Sequence, residues 1–185
     1  MGWMADETGL DKCQANYVPL TPLSHLQRAA TVFADHTAVV YRSHRSTYHQ
    51  YHARVSQLAS ALASIGVLPG DVVATLLPNI TAQIEASFGV PACGAVLNTI
   101  NTRLDVGTLT YIFKHGEAKV VMVDSQFLVP VEAAIAALEG PTPQIIEVVA
   151  VSYKPLRAHQ TVLDLVCRPL LEKKKEAIVL LTPHQ

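Results

Sequence analysis

Between Asp71 and Arg103 the chain carries a single charge, Glu85. The run from Gly70 to Arg103, GDVVATLLPNITAQIEASFGVPACGAVLNTINTR, reads in order as strand, turn, helix, break, strand and loop. A segment this poor in charge is expected to be buried on both sides, as the central layers of an α/β protein are. The run therefore constrains the fold class strongly, and it contains no reactive group.

The flanking sequence repeats the pattern. Thr21-Pro22 opens a helix, Thr as N-cap and Pro at the first helical position, with Leu23, Leu26, Ala30 and Phe33 at helical spacing to about Ala34. His36 to Tyr41, a polar turn at Ser43–Ser46 and a short second strand at Thr47-Tyr48 predict a hairpin. A second helix carries Val55, Leu58, Leu62 and Ile65 on one face and ends at Gly66. Pro69-Gly70 turns into a strand from Val72 to Leu77. Asn79 is placed to cap a helix bearing Ile80, Ile84 and Phe88, which Pro91 and Gly94 end before the short strand Ala95–Leu97.

Asp105 is placed to cap a further helix with Val106, Leu109, Ile112 and Phe113 inward and Lys114-His115 in its last turn, favourable against the helix dipole. Lys119 to Val123 is the next strand, Ser125 opens a helix through Leu138, and Ile145 to Val151 is another strand. Leu163 to Leu171 has the pattern of a short helix, and Ala177–Leu181 reads as a buried strand. The alternation predicts an α/β fold: helices layered around a largely parallel sheet joined by right-handed crossovers, with an N-terminal hairpin. Residues 1–16 read as a loose tail, 17–151 as an α/β subdomain, and 152–185 as a divergent, truncated segment.

Composition excludes several function classes. The net charge of −1 and pI near 6.7 give no basic surface for nucleic acid. Glu172–Glu176 is the only charge block, and it is mixed and short, as in a solvated turn or helix end. Ala86–Thr102 is uncharged but interrupted by Gly89, Pro91, Gly94 and Asn98, and falls short of a bilayer span. The N-terminal residues lack the basic and apolar regions of a secretory signal. Three scattered cysteines, Cys13, Cys93 and Cys167, suit reduced thiols in a cytoplasmic setting.

Few residues offer chemistry. His44, His49 and His52 lie close together, but no further ligands stand at metal-binding spacing, which leaves them as polar surface. Cys93 has the apolar surroundings of an inert core thiol. No G-x-G-x-x-G, G-x-x-x-x-G-K-[ST], G-x-S-x-G or H-E-x-x-H motif is present. Asp124 follows a strand, where α/β proteins bind ligands, although a turn or capping role is the simpler reading. Arg103 closes the loop Asn98-Thr-Ile-Asn101-Thr-Arg103; it can bind phosphate through its guanidinium fork or pair with Asp105, and common usage favours the ion pair.

Three segments in register carry a resemblance. Gly70–Asn79, Gly94–Leu104 and Glu117–Asp124 resemble the N-terminal part of AMP-forming acyl-CoA synthetases. The opening Ala15-Asn16-Tyr17-Val18-Pro19-Leu20-Thr21-Pro22 is similar to the medium/long-chain fatty-acyl and plant acyl-activating branch. The match runs over about residues 15 to 151 and implies the first subdomain of the large domain of that fold. The resemblance implies an enzyme that joins a carboxylic (fatty) acid to coenzyme A through an acyl-adenylate, using ATP, Mg2+ and CoA. It also implies that the phosphate-binding loop, the ribose-binding Asp and a small mobile C-terminal domain lie beyond this stretch. In the family a strand like Ala177–Leu181 runs into the phosphate loop, whereas Thr182-Pro183-His184-Gln185 follows it here.

The resulting expectation is a segment that is inactive alone and carries no catalytic residue. Arg103 is its one transferable position, near the phosphates of CoA. The alternative is a non-catalytic module that self-associates or pairs with another chain through an exposed sheet edge.

Overall fold

The computed structural model describes residues 20–149, together with Asp11, Cys13 and Tyr17 and the backbone of 177–181. The expected helix at Leu163–Leu171, and residues 1–16 apart from Asp11 and Cys13, lie outside the described residues.

Local signals set the first elements. Helix α1 (Pro22–Val32) starts from Thr21, whose side chain accepts from the Ser24 amide while Ser24 Oγ accepts from the Thr21 amide. The hairpin follows as β1 (Thr37–Tyr41) and β2 (His44–Thr47), antiparallel, with Tyr41 opposite His44. Its turn is therefore only Arg42-Ser43, tighter than the expected Ser43–Ser46, and Arg42 takes a positive φ of 54° there. Tyr48 is not in the strand. It begins α2 (Tyr48–Ser64), because Thr47 and Gln50 form a second reciprocal cap. Gly66, at φ +88°, lets the chain leave α2 as expected.

From there strands and helices alternate: β3 (Val72–Leu76), α3 (Thr81–Ala92), β4 (Val96–Thr99), α4 (Val106–His115), β5 (Ala118–Asp124), a 3-10 turn (Ser125–Phe127), α5 (Leu128–Ala136), β6 (Gln144–Val149) and β7 (Ala177–Leu181). The strands form one parallel sheet in the order β4-β3-β5-β6-β7.

Side-chain alternation divides the core between the two faces. Val73, Leu77, Val120, Met122, Ile146 and Val148 meet Leu58 and Leu62 of α2 and Ala82, Ala86 and Val90 of α3. Ala74, Leu76, Val121 and Val123 meet Leu109 and Phe113 of α4 and Val131 and Ala134 of α5. A smaller cluster of Leu26, Val39, Tyr51 and Val55 attaches α1 and the hairpin to α2.

The charge-poor run is buried as expected in β3, and less so elsewhere. Ile84 is exposed; α3 turns its small residues Ala82, Ala86 and Gly89 inward instead, bringing its backbone close to α2. A Cβ built on Gly89 would stand 2.7 Å from Leu58 Cδ2 and 2.9 Å from Leu58 Cγ, so close helix packing requires glycine there. Glu85 faces inward too, and the Arg54 guanidinium of α2 grips it with both Nε and Nη2, which explains one charge in an apolar run. Asn79 makes no cap: Ile80 takes the N-cap position of α3, without a side-chain bond. Pro91 lies inside the last turn of α3. β4 lies at the sheet edge, and Val96 is 53% exposed.

Candidate site at the carboxyl edge of the sheet

The strand order places the candidate site. After β3 the chain moves to one side through α3 to β4, then crosses back through α4 to β5 on the other side of β3. Helix α3 covers one face and α4 the other. The β3/β5 boundary is thus the topological switch point, where the loops leaving the two strands diverge and open sheets bind ligands. The loop Leu77–Ile80 and the turn Asp124–Phe127 form its rim, and the β4–α4 loop with Arg103 lies on the adjacent strand at the same edge.

Asp124 ends β5 and is 3% exposed. Its Oδ1 accepts from the Gln126 amide at 3.1 Å, the capping role expected of it, and this bond forms the 3-10 turn. Its Oδ2 is buried and has no hydrogen-bond partner among the described residues. Thr75, 1% exposed on β3, has a hydroxyl in the same condition. The pairing of Thr75 with Met122 and of Leu76 with Val123 sets Thr75 and Asp124 diagonally across the switch point on one sheet face. Sequence reasoning passed over Thr75, although a lone hydroxyl within VVATLL was the available signal.

Arg103 is exposed beyond β4, and its amide donates to Asn101 Oδ1. The expected ion pair with Asp105 does not form. Both Asp105 oxygens are held by Thr108, Oδ1 by its amide at 3.0 Å and Oδ2 by its hydroxyl at 2.7 Å, as the N-cap of α4 requires. The Thr108 amide, and then its hydroxyl, hold the Asp105 carboxyl below its ordinary range. The guanidinium of Arg103 has no carboxylate partner among the described residues.

The other sequence candidates do not join the site. His44 bonds Ser46 on the hairpin at 2.7 Å, and His49 is exposed on α2. Cys93 donates to the Val90 carbonyl and packs against the core. No group of three or more His, Cys, Asp or Glu able to hold a metal occurs among the described residues. No helix among them is long and apolar enough to cross a membrane.

Comparison with known proteins matches this arrangement to one family. The family model of the AMP-binding enzyme matches residues 26–177. A peroxisomal trans-cinnamate:CoA ligase of Petunia hybrida is 49% identical over 130 residues, covering 70% of this chain and 22% of that protein. A peroxisomal acetate/butyrate–CoA ligase of Arabidopsis thaliana is 43% identical over 134 residues, covering 72% and 24%. Among solved structures, a Mycobacterium tuberculosis fatty acyl CoA synthetase superposes with a TM-score of 0.61 at 33% identity, over 66% of this chain and 25% of that one. A benzoate CoA ligase from Burkholderia xenovorans does so with a TM-score of 0.63 at 25% identity, over 68% and 25%. The chain spans about a quarter of the length of the curated relatives it matches. It belongs to the AMP-binding enzyme family, whose matched relatives are acyl-CoA ligases, and corresponds to their N-terminal part.

Proposed function

We propose that this stretch is the first α/β unit of an AMP-forming acyl-CoA ligase, which joins a carboxylic acid to CoA with release of AMP and pyrophosphate, and that it does not activate an acid by itself. The observation that carries this reading is the pairing of a ligase-like sheet with a site short of adenylating groups. The described residues offer neither a glycine-rich phosphate cradle nor a cluster of metal ligands. They do not fit ATP or Mg2+. Its role within a longer ligase is to supply a rigid wall at the carboxyl edge of the sheet.

Arg103 is the one position we assign to a substrate. Exposed and free of Asp105, its guanidinium is available to a phosphate of CoA. The acid is proposed as a fatty acid by the family resemblance. The compartment is proposed as cytoplasmic from the cysteine usage; several relatives are named as peroxisomal, and a fluorescent fusion of the complete coding sequence distinguishes the two. Sequencing the transcript past the codon for Gln185 tests the assignment. An in-frame loop rich in Ser, Thr and Gly supports it, and a stop codon in every transcript overturns the place in a longer ligase.

One observation favours a second reading, a module that pairs with another chain. β4 is an edge strand with Val96 exposed, which leaves backbone groups open to strand addition. Light scattering after size exclusion supports this if the chain dimerises, and counts against it if the chain stays monomeric at high concentration.

A further inference from the structure

We propose that Thr75 and Asp124 hold one internal water molecule at the switch point of the sheet, and that this water is part of the fold. Thr75 Oγ1 and Asp124 Oδ2 are buried polar atoms on neighbouring strands, on the same face, and neither has a partner among the described residues. Two such atoms left dry would each carry a desolvation cost that native interiors rarely tolerate. They are diagonal neighbours and do not bond each other directly, and a single water has two donors with which to join them.

The chemistry of the two atoms selects the occupant. A carboxylate oxygen only accepts, so the ligand must donate to Asp124. A hydroxyl donates or accepts, so the same ligand can satisfy Thr75 in either sense. The surrounding side chains Val73, Leu77, Met122 and Val148 are apolar and buried, so among the described residues Asp124 would be the single charged ligand of a metal, too few to hold one. The remaining carboxylate oxygen, Oδ1, holds the Gln126 amide at 3.1 Å. Through Asp124 the water thus fixes the turn Ser125–Phe127 at the rim of the crevice.

Thr75→Val and Thr75→Ser in the 185-residue chain test it. Valine keeps the shape and removes the hydroxyl, so the bridged site loses a hydrogen bond and the folding equilibrium constant falls roughly tenfold. A rise in that constant with Thr75→Val would overturn the proposal, because it would mean that the hydroxyl was unsatisfied and its removal a relief. A crystal structure of the unsubstituted chain gives a second reading that no folding defect obscures. A solvent peak about 2.7–3.2 Å from both oxygens, retained in Thr75→Ser, supports the bridge. Direct contact between the two side chains, or no peak, overturns it.

Discussion

Arg54 on α2 and Glu85 on α3 form a two-pronged ion pair at the helix interface, with the carboxylate side chain 11% exposed and the guanidinium 20%. Beside it Tyr51 donates its hydroxyl to the Ile84 carbonyl at 2.9 Å, and burial, then the nearby Glu85 charge, push its phenol pKa up. Arg54→Met leaves the Glu85 charge without its partner and is expected to cost about 3 kcal/mol. Adding Glu85→Gln should recover part of the loss. Urea denaturation of the single and double variants measures both, and additive effects would contradict the coupling.

The same interface depends on Gly89. Gly89→Ala drives its Cβ into Leu58 and is expected to destabilise by about 1–3 kcal/mol, although alanine is the better helix former. A Leu58→Ala background removes the clash. There Gly89→Ala should become neutral or stabilising, which a double-mutant cycle reads directly.

At the amino edge of the sheet, Lys119 Nζ donates to Asp71 Oδ2 at 2.6 Å and to the Gly66 carbonyl at 2.7 Å, and the Leu68 amide donates to the same Asp71 oxygen. The Lys119 bond, and then the Leu68 amide, lower the Asp71 pKa. A depressed carboxyl contributes stability above its unfolded pKa and loses it as pH falls through the folded value. The thermal midpoint should therefore drop on acidification below the ordinary carboxylate range of about 4. Lys119→Met should make that drop shallower, and an unchanged acid limb would refute the assignment.

Arg103 makes no ion pair with Asp105, so Arg103→Ala should change stability by less than about 0.5 kcal/mol, as for an unengaged surface residue. Asp105→Ala removes the cap of α4 and should destabilise the chain more than Arg103→Ala does. Equal costs in chemical denaturation would restore the ion-pair reading.

The elements legible in the sequence are those whose signals are local. Thr21 with Pro22, Gly66 and Asp105 act within one helical turn, and the structure uses each as read. The parallel sheet was legible because β3 and β5 are mostly buried and apolar, with Thr75, Lys119 and Asp124 as the exceptions. What failed was competition between partners. Asp105 prefers the adjacent Thr108 to Arg103, and the helix after Asn79 begins one residue too late for that side chain to cap it. The inward turn of Glu85 depends on Arg54, thirty-one residues away, and no periodicity encodes it. Thr75 was hidden for a related reason, since a hydroxyl in an apolar strand reads as β-propensity until its neighbours are known.

We propose that this chain, which corresponds to the N-terminal part of acyl-CoA ligases, does not activate an acid by itself. ATP-dependent pyrophosphate release by the purified 185-residue chain, assayed with short-chain, long-chain and aromatic carboxylic acids, tests it most directly. No release above the acid-free control is expected. Acid-dependent turnover with any of these substrates would contradict it.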